Sequence, residues 1–536
     1  MALSPFHTRY PHRLLAVLLA AVMALPLSLM ALAAQETGSD PSPIIYVIGR
    51  TPIYDDPASP NRKELADADS GEVVAAVKEA LPYAAKAVLL GQWDEYVDKA
   101  YELIIQFFDG YALNENGEVT NSSGNSFTWS ESGLSRNYKS NDPYTYQFMY
   151  DARLSPLEIA DELDEYIEAV KRVTGKDKVS LIGRCLGTNI MMGYIYKYQE
   201  PQDYAGLDTV VFYDSSFLGV DPLEAAMSGT VKIEPDAAGN YLANFDLSLE
   251  NETLAAVVPL TLQMLRDTYG IEITAQFAQD FYGHIKDTLV RRFLLNSIGS
   301  TPGYWSMVYE HYDEAKAYLF GDTGAAEQYA GLIAKLDNYR FNVQLRYPEI
   351  IAGMQAADVE VAAVCKYGFR GYPLYENSKA LTDGDTTLKK QSFGAVCSEY
   401  DGTLEEAYLR DRLEKGFGAY LSPDGQVDAS TGLLPDTTWY VKNLYHNTFS
   451  NVMDFLLNAI CRNRDFTVTS AENSPRFLFH QGGNTVVPMT EDNCDPNGEI
   501  THTGAAAPVK NPLRVVVNFF RYVFKLIKIL FSTLKK

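Results

Sequence analysis

The sequence predicts an α/β fold, a mostly parallel central sheet flanked by helices and interrupted by a large helical insertion. Three observations carry this expectation. Between residues 43 and 215, apolar runs of strand length alternate with amphipathic helical stretches, the order that joins parallel strands through helical crossovers. The run Val179-Ser-Leu-Ile182 passes through Gly183-Arg184-Cys185-Leu186-Gly187 straight into an apolar helix ending near Tyr198. From residue 221 to 355 the pattern is mostly helical, without strand alternation. Its apolar residues (Leu260, Leu262, Met264, Leu265, Phe293, Leu294, Trp305) exceed what a connector needs.

The elements follow in order. Pro43 to Ile48 reads as a buried strand entering the loop Gly49-Arg50-Thr51-Pro52. Residues 64–113 are helical, with Ala, Leu and Ile interleaved among Glu, Asp and Lys. Asn114 to Asn141 is rich in Gly, Ser and Asn and reads as hairpin or loop. Tyr146 to Tyr150 is the next strand. Ser155-Pro-Leu-Glu158 then opens a helix with a capping box and a first-turn proline. Its apolar stripe is Ile159, Leu163, Ile167, Val170 and Val173. Thr209 to Tyr213 is a strand, and the sheet resumes at Val359 to Cys365. His446 opens an apolar helix running through Ile460, and Phe477 to His480 reads as a strand end.

Composition narrows the class. A chain of 536 residues buries a large core, as one domain with insertions or as two. Aromatic residues make up 12% of it, 36 of them tyrosines, which suits a globular protein. A formal net charge of -24 argues against nucleic acid as a partner. The two ends run the other way. Residues 1–33 hold Arg9 and Arg13 and no acid, and 510–536 hold Lys510, Arg514, Arg521, Lys525, Lys528, Lys535 and Lys536, again with no acid.

Residues 1–34 read as a secretory signal: two arginines, an apolar run from Leu14 to Leu32, and small residues before Gln35. An uncleaved anchor is the other reading. Export places the body outside the cytoplasm and permits disulfides. Five cysteines form at most two pairs. The expected organisation is 35–220 as the first part of the core, 221–355 as a cap or lid insertion, and 356–462 as the second part. A strand and loop extension with linker follows over 463–510, then a basic amphipathic helix over 511–536. A spanning helix there would carry Arg521, Lys525 and Lys528 into hydrocarbon at about 2.5–3.5 kcal/mol each. Lying at a membrane or cell surface, or docking to a partner, avoids that cost.

Gly183-Arg184-Cys185-Leu186-Gly187 has the form of a nucleophile elbow with cysteine in the serine's place. A buried cysteine beside a strand–helix turn is the structural alternative. Cys185, Asp385 and His446 follow the nucleophile–acid–base chain order of the α/β-hydrolases. Leu186 would donate its backbone N–H to an oxyanion, with Arg50 or Thr51 supplying the partner donor. His480 is the rival base, whereas His284 and His311 fall in the insertion. His446 can also be a solvent-exposed helix-start residue, and Asp383 and Asp385 turn residues. No histidine cluster, Cys-x-x-Cys or His-Glu-x-x-His is present, so neither a catalytic metal nor a cofactor is indicated.

At these positions the chain resembles the lecithin–cholesterol acyltransferase and lysosomal phospholipase group of α/β-hydrolases. Tyr150-Asp-Ala-Arg153 looks like that group's Tyr-Asp-Trp-Arg, and Val361-Ala-Ala-Val-Cys365-Lys-Tyr-Gly368 like its late strand. Asp383-Gly-Asp385-Thr-Thr-Leu388 with Ser392 resembles its acid motif. The likeness covers roughly residues 43–215 and 300–462. It implies Asp385, not Asp383, as the triad acid and a disulfide between Cys365 and Cys397. If Cys461 pairs with Cys494, the free thiol is then Cys185. The chain departs from the group at Cys185 for serine, Ala152 for tryptophan and Leu388 for valine. A cysteine elbow does occur in dienelactone hydrolases and polyhydroxyalkanoate synthases. The implied activity is that of a secreted hydrolase or acyltransferase acting on an acyl ester or lipid through a thioester on Cys185. The alternative is a secreted binding protein that has kept the fold and lost the nucleophile.

Overall fold

The computed structural model describes residues 41–49, 51–66, 70–127, 129–134, 144–235, 270–372, 374–376, 378–448, 453–470 and 474–494. The expected signal segment, Arg50, much of the apolar run around Leu260 to Leu265, and the basic tail over 511–536 lie outside them.

Eight strands form the central sheet: β1 (Ile44–Val47), β2 (Thr145–Phe148), β3 (Val179–Arg184), β4 (Leu207–Tyr213), β5 (Glu360–Tyr367), β6 (Thr438–Lys442), β7 (Phe477–Gly482) and β8 (Thr485–Pro488). Their order is β8-β7-β6-β5-β4-β3-β1-β2. Every pairing is parallel except the β7–β8 hairpin. The chain leaves β1 for β2 on one side and returns through β3 on the other. The crevice beyond the carboxyl ends of β1 and β3 is therefore a topological switch point, where open α/β sheets bind ligands.

The sheet is buried on both faces, as parallel sheets are. Alternation along the strands sends Val47, Phe148, Leu181 and Phe212 to one core, and Ile44, Ile182, Val211 and Val441 to the other. Helices supply the opposite walls. We number α1 (Ser70–Leu90), α2 (Trp93–Ile105), α3 (Pro156–Thr174), α4 (Leu186–Tyr194), α5 (Asp221–Ser228) and α6 (Gly270–Ile285), followed by α7 (Tyr312–Phe320) and α8 (Asp454–Arg462). The first core takes α3 and α4, the second α8.

Local chemistry explains the boundaries. The helical pattern over 64–113 divides into α1 and α2 at Gly91, whose φ of 70° ends the first helix. The capping box of α3 is present: Ser155 Oγ accepts from Leu157 N–H, and Glu158 accepts from Ser155 N–H. Its buried stripe stops at Val170, because Val173 is 51% exposed. Thr438-Trp-Tyr-Val-Lys442, which the sequence reading does not include as a strand, is the fully buried β6 between β5 and β7. Between β4 and β5, the described part of the insertion carries a core of its own, with Met227, Leu294, Trp305, Leu319, Leu332 and Leu336.

Candidate active site

β3 delivers Cys185 to the switch point in an unusual backbone conformation. Cys185 has φ 49° and ψ -125°, a region sparsely populated by side-chain-bearing residues that costs about 1–3 kcal/mol to hold. Its N–H donates to Tyr213 O at 3.1 Å, tying the turn to β4. The elbow glycines are required by contact. A Cβ on Gly187 would run into the carbonyl oxygens of Val47 and Ile48, and one on Gly183 would sit 2.9 Å from Thr188 Cα. Without side chains at these two positions, α4 packs directly on β1 and β3. Gly49 lies against Cys185, its absent Cβ falling 3.3 Å from Cys185 Cβ.

His446 lies on the loop between β6 and α8 and is 3% exposed. Its Nδ1 is 2.6 Å from Asp383 Oδ2. Its backbone N–H donates to Asp383 O at 2.8 Å, so one residue orients both ring and peptide. Asp383 is fully buried, and its other carboxylate oxygen accepts the N–H groups of Asp385 (3.0 Å) and Thr386 (2.8 Å). Burial works against the Asp383 carboxylate. The neighbouring His446 and the two N–H donors overcome it and hold the group below the usual range. Burial likewise opposes the His446 imidazolium, but Asp383 and, after it, the neighbouring Cys185 side chain raise it well above the ordinary histidine value.

The resemblance favours Asp385 as the acid; the structure puts Asp383 on Nδ1 instead. Asp385 lies on the other side of the ring, its Oδ2 3.8 Å from His446 Nε2. Tyr372 OH (3.2 Å) and Asn447 Nδ2 (3.4 Å) donate to it, and burial pushes its carboxyl up. The reason is local. Gly384, at φ 106°, turns the loop so that Asp383 points inward and Asp385 toward the cavity.

Cys185, His446 and Asp385 share a cavity of about 640 Å³ with Ile48, Gly49 and Leu186. Tyr46, Tyr213, Tyr304, Leu223 and Met307 also line it, the last three from the segment between β4 and β5. Leu186 is the first residue of α4, where backbone N–H groups have no partner within the helix. Arg50 is outside the described residues. Thr51 is buried and its hydroxyl is spent on the Tyr150 carbonyl, so a role at an oxyanion would fall to its backbone. His480 does not compete as base: its ring nitrogens face the carbonyls of Asn443 (2.9 Å) and Gly483 (3.0 Å). His284 stacks on Trp93 with ring centroids 4.3 Å apart, and His311 precedes α7.

Cys185, Cys365, Cys397 and Cys494 are not joined to one another by disulfides. The structure does not contain the Cys365–Cys397 bridge that the resemblance implies. The Cys397 thiol turns back to the Ala395 carbonyl two residues before it, at 3.3 Å, and Cys365 is buried in β5. Burial pushes the Cys397 thiol up to about 12 and raises Cys365 and Cys494 as well, so these three stay protonated and inert. The sequence reading also passes over Arg184, Asp214 and Lys366, which gather behind His446. Arg184, immediately before the elbow's central Cys185, was the available signal. No protein-family model matches the chain, and no curated protein matches it.

Proposed function

We propose that the chain is an acyl-ester hydrolase or acyltransferase of α/β-hydrolase type, working through Cys185, His446 and Asp383. The observation that carries this is the pairing of a strained, cavity-facing cysteine with a histidine fixed by a buried carboxylate at 2.6 Å. A thiol is intrinsically more nucleophilic than a hydroxyl, and a histidine beside it takes its proton. Asp383 holds the ring in the tautomer that leaves Nε2 facing the cavity, and stabilises the imidazolium that forms. Attack of Sγ on the ester carbonyl gives a tetrahedral oxyanion, for which Leu186 N–H, with a backbone N–H of the loop after β1, would be the donor. Collapse expels the alcohol, protonated by His446, and leaves a thioester on Cys185. Water or a second alcohol then enters, deprotonated by the same imidazole, and the thiolate departs.

Two features support a lid in the insertion: its own core, and its contribution of Leu223, Tyr304 and Met307 to the cavity wall. The largely apolar and aromatic wall supports an acyl chain as ligand. Export through 1–34 and surface contact through 511–536 belong to the same proposal. Asp385 beside Nε2 favours one second reading, a binding protein with a silent site, because a carboxylate there competes with a thiolate for the imidazolium. Turnover of p-nitrophenyl esters of graded chain length by the full-length protein, beside Cys185→Ala, separates the two. The enzyme reading requires turnover that the substitution abolishes. Inert wild-type protein across all chain lengths would contradict it.

A further inference from the structure

We infer that Arg184 is a positioning residue that locks the base to the nucleophile, acting with Asp214 and Lys366 as a buried clamp on the His446 carbonyl. The inference rests on the reading of Cys185 and His446 as nucleophile and base. Arg184 Nη2 donates to His446 O at 2.7 Å, and Lys366 Nζ lies 3.4 Å from the same oxygen. Asp214 binds both cations from behind, with Oδ2 2.6 Å from Lys366 Nζ and 3.5 Å from Arg184 Nε. The side chains of Asp214 and Lys366 have no exposed surface.

The three residues come from adjacent strands: Arg184 ends β3, Asp214 follows β4, and Lys366 is in β5. Asp214 holds a φ of 47°, which an aspartate tolerates better than most residues, and its N–H bonds Val364 O at 3.1 Å. That turn sends its carboxylate beneath the sheet's carboxyl edge rather than onward along the strand.

Stability alone does not account for such a cluster. Desolvating buried ions consumes most of what their attraction returns, and apolar side chains of similar volume commonly do as well. What the cluster gives is direction. The His446 peptide is held at its N–H by Asp383 O and at its carbonyl by Arg184, while the ring is held at Nδ1 by Asp383. Arg184 is also covalently next to Cys185. One side chain therefore fixes the base's backbone from the residue beside the nucleophile, and their separation follows from a single short path. A small misplacement of reacting groups is enough to cost about a hundredfold in rate.

The test uses full-length protein, with Arg184→Ala and Arg184→Lys beside wild type. Two rates are read at fixed neutral pH: alkylation of Cys185 by iodoacetamide, followed on its peptide by mass spectrometry, and the p-nitrophenol burst. Thermal midpoints are recorded in parallel. Arg184→Ala is expected to lower both rates by about tenfold or more with KM little changed. Guanidinium ion at non-denaturing concentration is expected to restore part of the loss. Should the alanine variant not fold, Arg184→Lys decides: a single ammonium reaches Asp214 or the carbonyl but not both, so a smaller loss without a shift in midpoint is expected. Wild-type rates in a folded variant would overturn the inference, as would a loss that follows the thermal midpoint and ignores guanidinium. A wild-type protein that gives no burst and alkylates Cys185 no faster than a small thiol would instead overturn the proposed function itself.

Discussion

At the scale of single residues, the account turns on which aspartate holds His446. Asp383 and Asp385 are one glycine apart, and a motif comparison cannot tell which of them the turn sends inward. The structure gives Asp383 the Nδ1 contact and Asp385 the cavity side. Asp383→Asn should therefore reduce ester turnover by about 10⁴-fold, the cost of the wrong tautomer in a triad. Asp385→Asn should change it by less than about tenfold, since that residue does not hold Nδ1. The reverse ranking in steady-state kinetics would return the acid role to Asp385.

The same pair carries a pH signature. His446 is raised in the fold, so its contribution is complete below its unfolded value near 6.5 and fades as pH climbs through the folded value. Asp383 is depressed, so its contribution is complete above its unfolded value near 3.9 and is lost as pH falls through the folded one. The stability lost on Asp383→Asn should accordingly be greatest between about pH 4 and 6.5 and shrink on either side. Thermal midpoints of the two proteins across pH 3–9 check this, and a constant difference would contradict it.

Among elements, the elbow was the most legible. Two glycines around one residue, after an apolar strand and before an apolar helix, encode a turn in which backbone meets backbone. Gly187→Ala tests that reading directly. Its methyl would fall on the Val47 and Ile48 carbonyls, backbone atoms that cannot swing aside, so a loss of about 1–3 kcal/mol or more in urea unfolding is expected. Wild-type stability would mean that the turn is looser than described.

β5 offers a second element-scale prediction. Burial pushes Glu360 to about 7, with Asp208 and Asp358 adding to the shift and Arg464 opposing it. The fold thus favours its neutral form, an advantage present in full below about pH 4.5 and gone once pH passes about 7. Glu360→Gln, neutral at every pH, should raise the thermal midpoint at pH 8 and leave it unchanged at pH 4. A difference independent of pH would refute the assignment. Less legible were β6 and the end of α3. Thr438 to Lys442 is too short and mixed to announce a strand, and only its place between β5 and β7 makes it one. Val173 continues the helical spacing of its neighbours, yet its side chain is left half exposed.

For the whole molecule, the layered α/β architecture was readable because parallel strands buried on both faces leave runs of Val, Ile and Leu that few other structures need. The cavity was not. Its wall combines β1, β3, β4, the acid loop, the His446 loop and the insertion, segments separated by hundreds of residues whose meeting no local pattern encodes.

The central claim, that Cys185 carries an acyl group, is tested most directly by intact-protein and peptide mass spectrometry after a brief acid-quenched reaction with a p-nitrophenyl ester. The account predicts one acyl mass added per chain, located on Cys185, released by neutral hydroxylamine and absent from Cys185→Ala. An adduct on another residue, or no adduct at any quench time while ester is turned over, would contradict it.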